Sequence, residues 1–351
     1  MSGKKVARRF NLAMVVLGIA LFVVLLVEMD AESVGEQLRI AGWSLLPAFA
    51  FYLLNLCAST MSWRETVQPG DHGHRPPFSP LLKAFWAGHG INGVGIAAAG
   101  EVVKGNILAR VVKGEEVVAS LVIYGFINMA TEITTTVIGA GICLLWLDLP
   151  RDVIWVIFAA SLAFCVGILL LRWLIRARMA GRLVRLAGKL PFVNYVDAAK
   201  IEQKAEIVDE RIRGYRKQRP ASFRRAVAWA VVARVLRLGE FVVLLYALLP
   251  DRDLSFLVLF ALLTQTTMQL ITWSLAFIPG RVGVLEGGSA LLFELVGLGP
   301  ELGLSVAILR RVRRVAGLSV GLVIAAKASA FDEDAADPSD DAPVPPVEVD
   351  A

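Results

Sequence analysis

The chain has 351 residues, 56% of them hydrophobic, and a mean hydropathy of +0.64. Its apolar residues come in runs of about twenty, the length of helix that crosses a hydrocarbon core of about 30 Å. This composition excludes an ordinary soluble domain. It predicts an all-α fold, a polytopic transmembrane helical bundle.

The net charge of +5 is unevenly distributed along the chain. Residues 332–351 carry eight acidic side chains and no basic ones, which leaves +13 for the remainder. The basic runs flank apolar segments, so we interpret them as orientation signals, because Lys and Arg concentrate in cytoplasmic loops. We expect no nucleic-acid binding.

The cysteines and histidines indicate neither a disulfide framework nor a metal site. Cys57, Cys143 and Cys165 lie far apart inside apolar runs, and the histidines form no cluster with them. We therefore expect no metal ion and no cofactor.

The first apolar run, 10–27, follows a basic N-terminus and is not followed by a small-residue cleavage site. We expect an uncleaved span with its N-terminus in the cytoplasm. A second span is predicted at about 43–61. Two further spans, 115–147 and 153–172, are joined by the short turn "DLPRD".

The segment 172–225 carries the strongest topological signal. It contains fifteen Lys and Arg residues against five Asp and Glu residues, which predicts a cytoplasmic location. Apolar residues at roughly helical spacing within 173–222 predict a basic amphipathic helix on the membrane surface. A solvated charged helix fits the same pattern.

Two glycine-rich breaks divide the remaining apolar sequence. The stretch "GHGINGVGIAAAGEVVKG" lies within 80–114, which starts and ends on the cytoplasmic side. A re-entrant pair of half-helices would return the chain to the cytoplasmic side, and so would a short hairpin that crosses the membrane twice. The second break, "IPGRVGVLEGG", follows predicted spans at 226–249 and 255–278 and precedes a last helix at 301–327.

Each half of the chain thus contains a broken segment near a glutamate, Glu101 or Glu286. Paired interruptions of this kind indicate a transporter-type binding site, although two coincidentally similar loops would give the same pattern. The full expectation is about seven spans and two Gly/Pro-broken re-entrant segments in a pseudo-repeated arrangement. Residues 1–330 form one integral membrane domain, and 331–351 a disordered acidic tail.

The breaks also supply the candidate site, a lipid head-group or proton site. Broken backbone at membrane depth survives only where it is buried or faces a water-filled cavity, and helix N-termini favour anions. Guanidinium groups bind phosphate oxygens bidentately. The candidate residues are Glu101, Lys104, Pro279, Gly280, Arg281, Gly283, Glu286, Arg310, Arg313 and Arg314. The alternative is an interfacial turn with a solvated Glu286.

Four further charged residues within spans are predicted to support this site. They are Glu132, Arg234, Arg237 and Glu240. Arg237 and Glu240 are three positions apart and able to pair on one helix face. Alternatively, the final-helix arginines Arg310, Arg313 and Arg314 neutralise Glu101, Glu132 or Glu286 inside the bundle, or mark a helix that lies at the interface.

Three stretches, "GEVVKGNILAR", "FIPGRVGVLEGG" and "ELGLSVAILRRVRR", resemble the lysylphosphatidylglycerol synthase transmembrane-region family of flippase-like proteins. Their order and spacing are most similar to its hopanoid-associated branch, and the resemblance covers roughly 10–328. The chain departs from the family pattern at Lys104, where an arginine is common, and at Ile133, after Glu132.

The resemblance implies binding or translocation of an amphiphilic lipid (a phospholipid, hopanoid or related molecule) across or within a bacterial inner membrane. We expect no enzyme, because no nucleophile–base pattern, Walker loop or metal motif is present and no aminoacyl-transferase domain follows. The alternative is a non-transporting subunit or scaffold that docks a lipid-synthesis or glycosyl-transfer enzyme through 172–225. A cavity open to lipid favours the first function, and a filled core with a bare basic surface the second.

Overall fold

The computed structural model describes most of the predicted bundle. The described ranges are 39–68, 75–93, 99–109, 114–147, 217–275 and 283–335, with a few positions between them. Every regular element in these ranges is a helix. Several predictions lie outside them: the first span 10–27, most of 153–172, most of the basic segment 173–222, residues 278–282 of the second break and the tail beyond 335.

Eight α-helices form the described bundle. They are α1 (Leu45–Thr66), α2 (Phe78–Gly93), α3 (Ala99–Ala109), α4 (Gly114–Trp146), α5 (Pro220–Leu248), α6 (Leu254–Ser274), α7 (Val284–Leu295) and α8 (Pro300–Ala335). A 3₁₀ turn, Gly42–Ser44, precedes α1. The last helix extends past the predicted end at 327 into the predicted tail, since its final residues include the strong helix former alanine.

Three segments of the described chain are long and apolar enough to cross a membrane: Arg39–Thr66, Glu116–Trp146 and Leu254–Ser274. Helices α5 and α8, with 29 and 36 residues, are also long enough, but α5 carries Arg234, Arg237 and Glu240 near its middle and α8 carries four arginines within 310–314. The chain is therefore a multi-pass helical membrane protein in which the charged residues of α5 and α8 need a polar interior.

Helices α2, α3 and α7 are too short to cross alone. They have 16, 11 and 12 residues, or about 24, 16 and 18 Å at 1.5 Å per residue, against a core of about 30 Å. Helix α7 begins after Gly283, whose φ of 78° is in the left-handed region that favours glycine. These lengths suit half-helices. The re-entrant path itself stays a prediction.

The packing partners repeat between the two halves of the chain. Helix α1 packs on α5, α2 packs on α8, and α4 packs on α6. A pseudo-repeat would match α1, α2, α3 and α4 with α5, α6, α7 and α8 in that order. When each helix is exchanged for its counterpart, the α1–α5 pair stays the same and the α2–α8 pair becomes the α6–α4 pair. This is the set of pairs that a two-fold pseudo-repeat requires.

Glycines allow two of these helix pairs to approach closely. A Cβ added to Gly321 of α8 would lie 2.5 Å from the carbonyl oxygen of Trp86 in α2. One added to Gly303 would lie 2.5 Å from the carbonyl oxygen of Ser289, between α8 and α7. In a membrane the hydrophobic effect does not drive helices together, because the lipid tails are as apolar as the side chains. Small residues at the crossings let the helix backbones approach closely, and the resulting van der Waals contacts stabilise the helix pair.

Two apolar clusters stabilise the two parts of the bundle. One joins α1 to α4 around Trp63, Leu81 and Leu108, and the other joins α4 to α8 around Phe260 and Phe293. The outer surface is also apolar, with exposed residues such as Leu46, Leu145, Val312, Val315 and Val323. The polar side chains of the interior are therefore enclosed between apolar layers.

Candidate functional site

A polar cavity of about 350 Å³ lies inside the bundle, and seven of the eight helices line it. Its polar lining residues are Tyr52, Asn55, His89, Asn92, Glu132, Arg237, Glu240, Gln265, Gln269, Thr272, Arg310, Arg313 and Arg314. A smaller cavity of about 20 Å³ shares Arg310 and Arg314 with it and adds Glu286 and Arg311. The two cavities therefore lie next to each other, on a shared wall of α8.

Helix α6 turns a polar stripe toward this region. Gln265, Gln269 and Thr272 follow one another at spacings of four and three, which places them on one face of an otherwise apolar helix. The cavity therefore meets amide and hydroxyl groups on α6 and charged groups on α4, α5 and α8.

The first charged group is centred on Glu132 of α4. Its Oε1 lies 2.9 Å from Arg237 Nη1 and 3.2 Å from Arg234 Nη1, both on α5. Gln269 adds its amide nitrogen at 3.1 Å when the amide takes the orientation that satisfies both of its ends. One carboxylate thus holds two guanidinium groups and ties α4 to α5 and α6.

The second charged group is centred on Glu240 of α5, whose side chain is only 3% exposed. Arg313 of α8 donates to Glu240 Oε1, and Arg310 Nε lies 3.9 Å from the same oxygen. Both guanidinium groups also face rings: Arg313 over Tyr52 at 4.7 Å and Arg310 over Phe241 at 3.9 Å. These contacts join α8 to α5 by charge, and to α5 and α1 by cation–π attraction.

The predicted pairing of Arg237 with Glu240 is wrong. Arg237 pairs with Glu132, and Glu240 pairs with Arg313 and lies near Arg310. A pair on one helix is worth only about 0.2–0.5 kcal/mol, whereas cross-helix partners offset the cost of buried charge on two helices at once. The alternative that Arg310, Arg313 and Arg314 neutralise Glu101, Glu132 or Glu286 is wrong for Glu132, which pairs with Arg234 and Arg237 of α5.

Glu286 is buried, with 2% of its surface exposed, so it is not the solvated residue of an interfacial turn. Its Oε1 lies 2.6 Å from Arg311 Nη2, and its Oε2 has no hydrogen-bond partner. It is the third residue of α7, in the first turn, where unpaired backbone N–H groups favour negative charge. One carboxylate oxygen of Glu286 therefore pairs with Arg311, and the other has no hydrogen-bond partner beside the smaller cavity.

Glu101 and Lys104 form a separate pair that does not line the two cavities described here. Lys104 Nζ lies 2.7 Å from Glu101 Oε1 and 4.6 Å from the centre of the Phe85 ring. The lysine is buried, while the Glu101 side chain is 44% exposed. Asn92, which does line the cavity, donates to Glu101 Oε1 at 3.3 Å and connects this pair to it.

The other sequence-predicted residues differ in where they lie. Those that line the large cavity are Glu132, Arg237, Glu240, Arg310, Arg313 and Arg314. Arg234 does not line it, but it pairs with the same oxygen of Glu132 as Arg237. Pro279, Gly280 and Arg281 fall in the part of the chain that the structure leaves undescribed. Gly283 contributes the left-handed turn that starts α7.

Sequence reasoning missed Arg311, although Arg311 is the partner of Glu286. The missed signal was its spacing of three from Arg314, which places both near the smaller cavity. It also missed the α6 amides. Two glutamines and a threonine at helical spacing in an apolar span are a readable sign of a polar face.

Comparisons with known proteins place the chain in a family. No curated protein and no solved structure matches it. Residues 11–321, most of the chain, match the sequence profile of the lysylphosphatidylglycerol synthase TM (transmembrane) region. The chain therefore belongs to the lysylphosphatidylglycerol synthase TM-region family, whose membrane proteins are associated with lipid handling.

Proposed function

We propose that this protein binds an amphiphilic lipid with its polar head in the large cavity and moves the lipid across or within the membrane. The observation that carries the proposal is the cavity itself, about 350 Å³ of polar space inside a bundle whose outer surface is apolar. A lipid has the same two parts, so its head can enter the cavity while its chains stay outside.

The cost of the charged wall supports this function. Each ionised group at membrane depth costs at least about 2.5–3.5 kcal/mol on insertion scales. The wall nevertheless carries four arginines and two glutamates, Arg237, Arg310, Arg313, Arg314, Glu132 and Glu240. Apolar residues of similar size would stabilise a purely structural core at least as well. Charged side chains around a cavity, in place of apolar packing, favour a path for a polar ligand.

The alternative function is a non-transporting subunit or scaffold for a lipid-synthesis or glycosyl-transfer enzyme. A scaffold that docks its partner through a basic surface needs no polar cavity in its core, which is why we prefer lipid movement. We further propose that the chain catalyses no reaction and works in a bacterial inner membrane with its N-terminus in the cytoplasm. Its substrate is a phospholipid, a hopanoid or a related lipid.

Filling the cavity should stop lipid movement. Thr272 lines the cavity on α6, and Thr272→Trp would place an indole in it. Ser274, two residues along the same helix, is exposed, so Ser274→Trp adds the same group outside. In proteoliposomes with leaflet-resolved lipid labels, we expect Thr272→Trp to lose at least about 90% of transfer, because blocking entry removes binding altogether.

The labelled lipids should include a phospholipid and a hopanoid, with protein-free vesicles as the baseline. Ser274→Trp should transfer lipid at the wild-type rate. Wild-type transfer by Thr272→Trp, or no transfer above baseline by the unaltered protein with any lipid, would contradict the proposed function.

A further inference from the structure

We infer that the lipid head held in the cavity carries a net negative charge, that is, a phosphate without a compensating amine. This inference rests on the proposed function, because it names the class of lipid that the same cavity takes. It is carried by the charge balance of the wall, by one arginine that makes no ion pair with a described residue, and by the commitment of both carboxylates of the described large-cavity wall to arginines.

The wall of the large cavity has an excess of two positive charges. Four arginines line it, whereas Glu132 and Glu240 are its two carboxylates. Adding the smaller cavity contributes Glu286 and Arg311, which neutralise each other and leave the excess unchanged. Buried charge of one sign is stable only when a counter-charge approaches it, and an anionic ligand would supply that counter-charge.

Arg314 is the cation best placed to meet the ligand. It lines both cavities, yet it makes no ion pair with a described residue. Its neighbour Arg313, 8% exposed, and nearby Arg310 each have a buried Nε–H without a hydrogen-bond partner. Three guanidinium groups on adjacent turns of α8 therefore retain unused charge or donors, which is the geometry that phosphate oxygens satisfy.

An amine would find no comparable partner in the described wall. Glu132 already lies within 3.2 Å of two arginines, and Glu240 pairs with Arg313 beside Arg310. Glu286 has an unused Oε2, but the space beside it is about 20 Å³, room for little more than one water. A zwitterionic head would therefore place its ammonium group next to arginines, with neutral acceptors such as Gln265 Oε1 in place of a free carboxylate.

The test compares lipids that differ only in the head. The full-length protein in a non-ionic detergent is titrated with dioleoyl phosphatidylglycerol or dioleoyl phosphatidylcholine, and the melting temperature is followed. We expect phosphatidylglycerol to stabilise the protein at a concentration at least about tenfold lower, since charge-assisted hydrogen bonds are worth more than neutral ones.

Arg314→Gln should shrink that preference about tenfold, and it should leave the lipid-free melting temperature unchanged or higher, because it removes a half-buried charge that makes no ion pair with a described residue. Lys327→Gln, the same change of charge on the exposed part of α8, should keep the wild-type preference. A lipid-free protein that stays folded separates loss of binding from loss of structure.

Each other outcome overturns a defined statement. Equal stabilisation by the two lipids, or a preference unaffected by Arg314→Gln, would overturn the anionic head while leaving lipid binding intact. Stabilisation by neither lipid would count against the proposed function as well. If inorganic phosphate or glycerol 3-phosphate alone gave the full Arg314-dependent shift, the site would belong to a soluble anion, and the lipid head would be overturned.

Discussion

Replacing Glu240 with leucine is expected to lower the free energy of unfolding by about 3–5 kcal/mol, the largest stability loss of the substitutions considered. Glu240 is 2% exposed as a residue, and it is the only described carboxylate within 4.0 Å of Arg310 or Arg313. Its removal leaves both guanidinium groups uncompensated at the α5–α8 contact. Unfolding of the detergent-solubilised protein by heat or denaturant measures the loss.

Two variants test that explanation. Glu294→Leu makes the same change at an exposed position of α7 and should change stability by less than about 0.5 kcal/mol. Adding Arg313→Leu to Glu240→Leu should recover part of the loss, because it removes one of the two stranded charges. A loss below about 1 kcal/mol for Glu240→Leu would show that this ion pair does not hold α5 to α8.

Glu286→Gln is expected to abolish lipid transfer in proteoliposomes at a smaller cost in stability, about 1–2 kcal/mol. Glutamine keeps the shape and one hydrogen bond to Arg311. The Arg311 side chain is 26% exposed, so it is less dependent on its partner than Arg313, which is 8% exposed. The lost charge alters the field at Arg310 and Arg314, which line both cavities and face the head group in the larger one.

Glu101→Gln is the matched control for Glu286→Gln. Both glutamates are the third residue of a short helix that follows a glycine-rich break. Glu101, however, is partly exposed and pairs with Lys104 outside the cavity lining, so we expect Glu101→Gln to keep most of the transfer. Equal loss of transfer in both variants would mean that the two breaks act as one site. Full transfer by Glu286→Gln would show that the Glu286 carboxylate is not needed for lipid transfer.

The helices were predictable, whereas the partners of their charged residues were not. Apolar runs of about twenty residues and Gly/Pro breaks determine where helices start and stop, and the predicted spans at 43–61, 115–147, 226–249 and 255–278 correspond to α1, α4, α5 and α6. The charge pairs depend on how each helix is rotated about its axis. A helix that is apolar on all sides, such as most of α4, leaves that rotation undetermined.

Arg311 and Gln269 illustrate what additional reasoning would recover. The sequence "LRRVRR" allows either Arg310 or Arg311 to face inward with Arg314, and only the packing of α7 against α8 selects Arg311 for Glu286. Gln269, in contrast, lies in a polar stripe that fixes the rotation of α6 from sequence alone. Polar residues in apolar spans are therefore the better guide to a membrane cavity.

Photo-crosslinking from inside the cavity tests the central claim most directly. A photoreactive benzoylphenylalanine at Leu318 would lie at the cavity wall, and one at Val320, two residues along α8, would lie on the exposed apolar surface. After irradiation in bilayers that contain lipid labelled in the head group, the position of each crosslink is read by mass spectrometry. The account predicts head-group crosslinks from 318 and acyl-chain crosslinks alone from 320. Acyl-chain crosslinks alone from both positions would contradict it.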